Sequence, residues 1–240
     1  MIQPDDPVNG STLLALEATA AISGVALIRD GALLGSARVA HGMNLSGNLL
    51  HATEWLLQRC GLTLEQVDAF AVDVGPGTFT ALKIGVMMAK SWAHALSKPL
   101  VAVSAFEACA VGTPADVPTL VALPARRDAL YLQWLTPRIG DLPEPLSEPA
   151  FVVQGALAEW LAHTTPRIEP LQAVGVERAR AWIRERLPSL RWKLIESPAP
   201  DGVAQTGWRR LLAGETVHPF SLTPLYIQPP SIHIKKEGHG

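Results

Sequence analysis

At 240 residues the chain can bury a full core, as one large domain or two small ones. Hydrophobic residues make up 48% and charged residues 18%, which describes a soluble globular protein with more apolar residue than its own core needs. A net charge of −2 gives no overall basic field for nucleic acid, two cysteines cannot build a disulfide framework, and no apolar run approaches the roughly 20 residues of a membrane span.

Residues 1–11 form a polar, Pro-bearing extension without the charged-then-apolar pattern of a secretory signal, so the chain is expected to be cytoplasmic. Residues 12–16 and 24–29 read as strands, and Asp30-Gly31 is a hairpin signal leading into a third strand over 33–39. Residues 46–60 have helical spacing, and Gly61 stands where a C-terminal glycine belongs. A fourth strand over 69–74, a long helix over 79–96 and a fifth strand over 100–103 follow. A three-strand meander followed by helix, strand, helix and strand is the ribonuclease-H-like order.

A faint repeat points to a duplication. Thr12-Leu13-Leu14-Ala15-Leu16-Glu17-Ala18 returns as Thr119-Leu120-Val121-Ala122-Leu123-Pro124-Ala125, and a second apolar run follows each copy, at 24–28 and 129–135. The remainder is Pro-rich, with a loop over 137–145, helical patterns over 154–163, 176–187 and 204–212, and short strands over 171–174 and 192–195. The expected division is an extension (1–11), a first lobe (12–108), a second, degenerate lobe (109–228) and a mobile tail (229–240). The fold class is α/β, a duplicated ribonuclease-H-like, actin-like ATPase (ASKHA) fold.

Both helices of the first lobe carry too much apolar surface for one sheet. At 100° per residue, Leu49, Leu50, Ala52, Trp55, Leu56, Leu57 and Cys60 span an arc of roughly 220°, where a helix lying on one sheet needs about 100°. The second helix has a similar arc, with Lys83, Lys90 and His94 crowded into the remainder, and its Met87-Met88 pair suits an interface that repacks. Leu49, Leu50, Thr53, Leu57, Thr80, Ile84, Met87, Met88 and Ser91 are therefore the candidate partner surface.

The most specific stretch is Ala69-Phe70-Ala71-Val72-Asp73-Val74-Gly75-Pro76-Gly77-Thr78-Phe79-Thr80-Ala81-Leu82-Lys83-Ile84-Gly85-Val86. On physical grounds it is a strand, a tight turn and a helix capped by Thr78, whose first N–H groups can hold an anion. Its wording resembles the signature of the TsaB (YeaZ-type) family, which acts in making threonylcarbamoyladenosine on tRNA. Leu14-Ala15-Leu16-Glu17-Ala18-Thr19 and Lys98-Pro99-Leu100-Val101-Ala102-Val103-Ser104 resemble the ends of that family's first half. The resemblance implies an actin-like fold, heterodimerisation with a TsaD-type transferase through the first two helices, self-association without it, and a TsaE-type ATPase in the assembly. ATP and magnesium are implied for the complex, tRNA contact is implied to be indirect, and no membrane is involved.

No catalytic constellation emerges. The seven histidines, His41, His51, His94, His163, His218, His233 and His239, form no His-Glu-x-x-His or other compact helical pair, so no metal site is expected. Glu17, Gly75, Gly77 and Thr78 mark a vestigial nucleotide or anion site. The chain also departs from the family pattern. Glu17 stands for Asp, and Ala18 for Thr. Leu45-Ser46-Gly47 replaces His-Ser-Glu and keeps the serine as cap. Ala81 and Lys83 stand for Gly and Arg, Ala125 for Asp, and Gln228 for Arg. Loss of two acidic groups removes the simplest magnesium ligation. The leading reading is a non-catalytic scaffold. The alternatives are an actin-like ATPase or kinase using Glu17 and the 75–78 turn, and a peptidase of the glycoprotease superfamily.

Overall fold

The computed structural model describes residues 10–40, 44–138 and 141–227. The expectations for residues 1–9, His41, Gln228, His233, His239 and the 229–240 tail lie outside the described residues.

The first sheet has the order β3-β2-β1-β4-β5, built from β1 (Thr12–Glu17), β2 (Ile22–Arg29), β3 (Ala32–Ala40), β4 (Ala69–Asp73) and β5 (Leu100–Val103). β2 runs antiparallel to β1, and β3 to β2, whereas β4 and β5 are parallel to β1 and need crossovers. α1 (Leu45–Arg59) and α2 (Phe79–Ala95) supply them. Positive φ angles of 51° at Asp30 and 81° at Gly31 form the expected primed hairpin turn. Every residue of β1 is buried, because β1 is central and both its faces are covered. Leu14 and Leu16 pack with Phe70 and Val72 under α1 and α2, while Leu13 and Ala15 point to the opposite face.

The second sheet repeats this plan. β6 (Thr119–Pro124) is central, β7 (Ala129–Thr136) lies antiparallel to it, and β10 (Gln172–Gly175) and β11 (Arg191–Leu194) run parallel on the other side. β8 (Glu144–Pro145) and β9 (Ala150–Val153) both pair with β7. Thr12 and Thr119 thus open equivalent central strands, as the sequence repeat implies. α4 (Leu157–Thr164) and α5 (Glu177–Ile183) cover one face of this sheet around Trp134, which is fully buried.

Between the two sheets lie α3 (Ala105–Ala110) and α6 (Pro200–Leu212). Phe106 and Cys109 of α3 pack on Val121, Leu135 and Val174, whereas Val203, Ala204 and Trp208 of α6 pack on Leu13, Ala15 and Ala71 of the first sheet. The last helix therefore crosses back from the second half of the chain. Arg210 fastens the crossing through a 2.6 Å ion pair with Glu107, and Arg38 bonds the Ser197 hydroxyl at 2.7 Å.

After α6 the chain returns along the first lobe. The Val217 N–H donates to Leu100 O at 2.8 Å, occupying the free edge of β5, and Leu222 enters the core under α1 and α2. The Lys90 ammonium donates to Leu222 O at 3.0 Å, and the Leu225 N–H to Val74 O at 2.7 Å.

Candidate functional site

The outer faces of α1 and α2 keep an apolar surplus, but a narrower one than the helical arcs predict. Leu50, Trp55, Phe79 and Met87 are exposed at 42%, 51%, 38% and 57%. Thr80 and Ser91 are also exposed, and Ile84 and Met88 are half-buried. Leu49, Thr53 and Leu57 are covered by the chain's own core, so these three present no surface to a partner. Packing against another element and one backbone acceptor account for this. β3 is long enough to lay Ala37 and Val39 against α1, and the Thr53 hydroxyl donates to Leu49 O at 2.9 Å, which lets a polar side chain face inward.

A shallow groove of about 510 Å³ runs between the two helices, lined by Asn44, Ser46, Leu50, Met87, Met88 and Ser91. The helix opening this groove is capped by Asn44, whose side chain accepts from the Gly47 N–H at 3.4 Å, and not by Ser46. Part of the second helix's surplus is covered from within. Tyr226 packs on Phe79 with ring centroids 5.3 Å apart, and Lys83 sits over the same ring at 4.1 Å.

The second candidate region is the carboxyl edge of the first sheet, where Glu17 ends β1 and Asp73 ends β4. The parallel register Leu16 to Val72 sets these two carboxyl groups side by side, both buried. Glu17 accepts from the Thr19 N–H at 2.6 Å and from the Thr19 hydroxyl. Asp73, which the sequence reading did not single out, accepts from the Gly75 N–H at 2.7 Å. The signal that could have found it is its place, the last residue of the strand and two before the turn glycine, matching Glu17 at the end of the neighbouring strand.

Burial, and then the nearby Glu17 charge, hold the Asp73 carboxyl well above the ordinary carboxylate range, against the Gly75 hydrogen bond. The same burial and the same two carboxyl groups push the Cys109 thiol up. For Asp73 the folded value lies above the unfolded one. Its contribution to stability is therefore complete below the unfolded value of 3.8 and is lost as pH rises through the folded value. Asp73→Asn keeps the shape and removes the titration. Urea unfolding between about pH 5 and pH 8 is expected to show a flatter stability decline for the variant than for the wild type, and an equal slope would contradict the assignment.

The turn after β4 does not fit a phosphate. Thr78 occupies the N-cap of α2, yet its side chain makes no cap bond, and its N–H donates to Thr19 O at 2.8 Å. Gly77 presses on the same residue: a Cβ there would lie 2.5 Å from Thr19 O. The Gly75 N–H is taken by Asp73. The hairpin of the first lobe and the turn that should face a ligand satisfy each other instead.

The corresponding hairpin of the second lobe is filled as well. Arg178 donates to Ala129 O at 3.1 Å and to Arg126 O and Arg127 O at 3.3 Å each, so the turn around Ala125 holds a guanidinium through its carbonyls. Among the described residues no three His, Cys, Asp or Glu side chains gather at a spacing that could hold a metal ion.

Two sheets of ribonuclease-H-like order, with helices interleaved between them, define the actin-like class of α/β proteins. The family model described as TsaD, tRNA N6-adenosine threonylcarbamoyltransferase, matches residues 41–175, more than half of the chain. An uncharacterized protein of Mycobacterium tuberculosis is 31% identical over 194 residues, 74% of this chain and 89% of the relative. The tRNA threonylcarbamoyladenosine biosynthesis protein TsaB of Bacillus subtilis is 27% identical over 165 residues, 68% of this chain and 70% of TsaB. The YeaZ structure from Pseudomonas aeruginosa superposes with a TM-score of 0.74 at 22% identity, over 90% of this chain and 99% of YeaZ, a likeness of fold. The chain belongs to the TsaD family, as a divergent member of the TsaB (YeaZ) type. No helix of the described residues is long and apolar enough to cross a membrane.

Proposed function

We propose that this protein is a cytoplasmic, non-catalytic subunit of the machinery that makes threonylcarbamoyladenosine on tRNA, and that it docks a TsaD-type transferase against α1 and α2. The observation that carries this reading is the exposed apolar groove around Leu50, Met87 and Met88 on two helices that already fill their own sheet. The name of the B. subtilis relative supports the pathway. The self-satisfied turns at Thr19 and Arg178 argue against the ATPase or kinase alternative for the isolated chain. The partner then supplies the transfer chemistry, a TsaE-type ATPase joins the assembly, and two copies of this chain share the same groove when the partner is missing.

Reconstitution tests the reading. Purified transferase, ATPase and tRNA, supplied with ATP and an activated threonylcarbamoyl donor, are expected to yield the modified adenosine, read by nucleoside mass spectrometry, only when this chain is added. Equal yield without it would contradict the proposal.

A further inference from the structure

Beside the crossing of α3 and α6 lies another concavity, of about 220 Å³, whose wall includes neither the α1–α2 groove nor the filled hairpin turns. Cys109 of α3, Val174 of β10, Lys193 of β11 and Asp201 and Gln205 of α6 border it. It lies on the α6 side of the first sheet, whereas α1 and α2 cover the other side. A cavity of roughly 150 Å³ holds benzene and sites for drug-sized ligands begin near about 300 Å³, so this one suits a molecule of about six to ten non-hydrogen atoms and is too small for a nucleotide.

The wall carries one cation and one anion, and no ion pair joins them. The Lys193 ammonium donates to Gly112 O at 2.9 Å and has no acidic partner among the described residues, which leaves its other donors for a ligand. The Asp201 carboxylate makes no hydrogen bond and no ion pair among the described residues, and its Oδ1 is buried. A buried acceptor without a donor is rare in a folded chain and points to a missing partner. Cys109 and Val174 are buried and Ile195 is half-buried, so the rest of the wall is apolar. Burial keeps the Cys109 thiol protonated near neutral pH, which makes it a packing surface and not a nucleophile. A ligand with a carboxylate alone would leave Asp201 unmatched, and an amine alone would leave Lys193 unmatched. A molecule that bears both charges answers both, and a short aliphatic group answers the apolar wall.

We infer that this interlobe cavity binds a small aliphatic α-amino acid as its zwitterion, with the carboxylate on Lys193 and the ammonium on Asp201. Gln205, one turn after Asp201 on the same face of α6, offers its amide to either charged group. Lys193 belongs to the second sheet, and Asp201 to the helix packed on the first, so the ligand ties the two lobes together. The inference does not rest on the proposed docking role.

Calorimetric titration of the full chain compares L-valine with two relatives that each carry one charge: isobutylamine, which lacks the carboxylate, and 3-methylbutanoate, which lacks the ammonium. L-valine is expected to bind with a Kd of about 1 mM or tighter, and each relative about tenfold more weakly or worse. Lys193→Met and Asp201→Asn are each expected to weaken valine binding by about tenfold or more. Glu196→Gln, exposed and outside the wall, should leave it unchanged. Asp201→Asn keeps the shape of the side chain, and an unaltered thermal midpoint without ligand shows that both variants fold. Valine well above its Kd should raise the midpoint of the wild type and not that of Lys193→Met. No valine binding, valine bound no tighter than either relative, or affinity untouched by both wall substitutions would overturn the inference.

Discussion

Leu50→Asp combined with Met87→Asp is expected to abolish pairing with the transferase while leaving the subunit folded. Both side chains line the groove between α1 and α2, and both are exposed in the single chain, at 42% and 57%. In a docked complex each would bury an apolar side chain, and each aspartate would place a charge in the seam without a partner. Losing two such anchors costs about 3 kcal/mol or more, at least two orders of magnitude in Kd. Stability of the isolated chain should move little, since exposed substitutions stay within about 0.5 kcal/mol each. Ile168→Asp, equally exposed at 61% on the second lobe, is the matched control and should pair normally. Sedimentation of the mixed subunits reads the outcome; a double variant that still forms the heterodimer at wild-type affinity would move the docking surface elsewhere.

Gly202→Val is expected to be the most damaging single change to the fold. Gly202 sits where α6 crosses α3, and a Cβ built there would lie 2.0 Å from Ala108 O and 2.8 Å from its carbonyl carbon. Those are backbone atoms, so no side chain can swing away to make room. The two helices must separate, which also loosens the Arg210–Glu107 pair and the contact of Val203 and Ala204 with the first sheet. Overpacking of this kind costs about 3 kcal/mol. For a chain of this size that corresponds to roughly 6–12 °C in Tm. A thermal midpoint within 2 °C of wild type would show that the crossing is looser than the structure draws it.

The architecture was legible because it is written in local patterns. The β-branched and apolar run at 69–74, the Asp30-Gly31 turn and the echo of Thr12–Ala18 in Thr119–Ala125 each report on a few adjacent residues, and each found its counterpart in the structure. What escaped depends on distant parts of the chain. A helical wheel registers Leu49, Thr53 and Leu57 as available, but it cannot see that Ala37 and Val39 of β3 pack against the core under α1 and that Thr53 finds its acceptor one turn back. Nor does periodicity say that α6 belongs under β1, or that residues after 212 return to close the edge of β5.

The candidate nucleotide site shows the same limit. Gly75, Gly77 and Thr78 have the composition of an anion cradle, and Thr78 has the right residue type for a cap. Whether the N–H groups are available depends on Thr19, nearly sixty residues earlier, whose carbonyl takes the Thr78 N–H.

A photo-crosslinking residue placed at position 87 tests the docking surface most directly, with the same probe at position 168 as reference. Both positions are exposed in the single chain, one beside the groove and one on the second lobe. Irradiation of the reconstituted complex is expected to give a covalent adduct with the transferase from position 87 and none from 168. An adduct from 168 with none from 87 would contradict the assignment of α1 and α2 as the partner face.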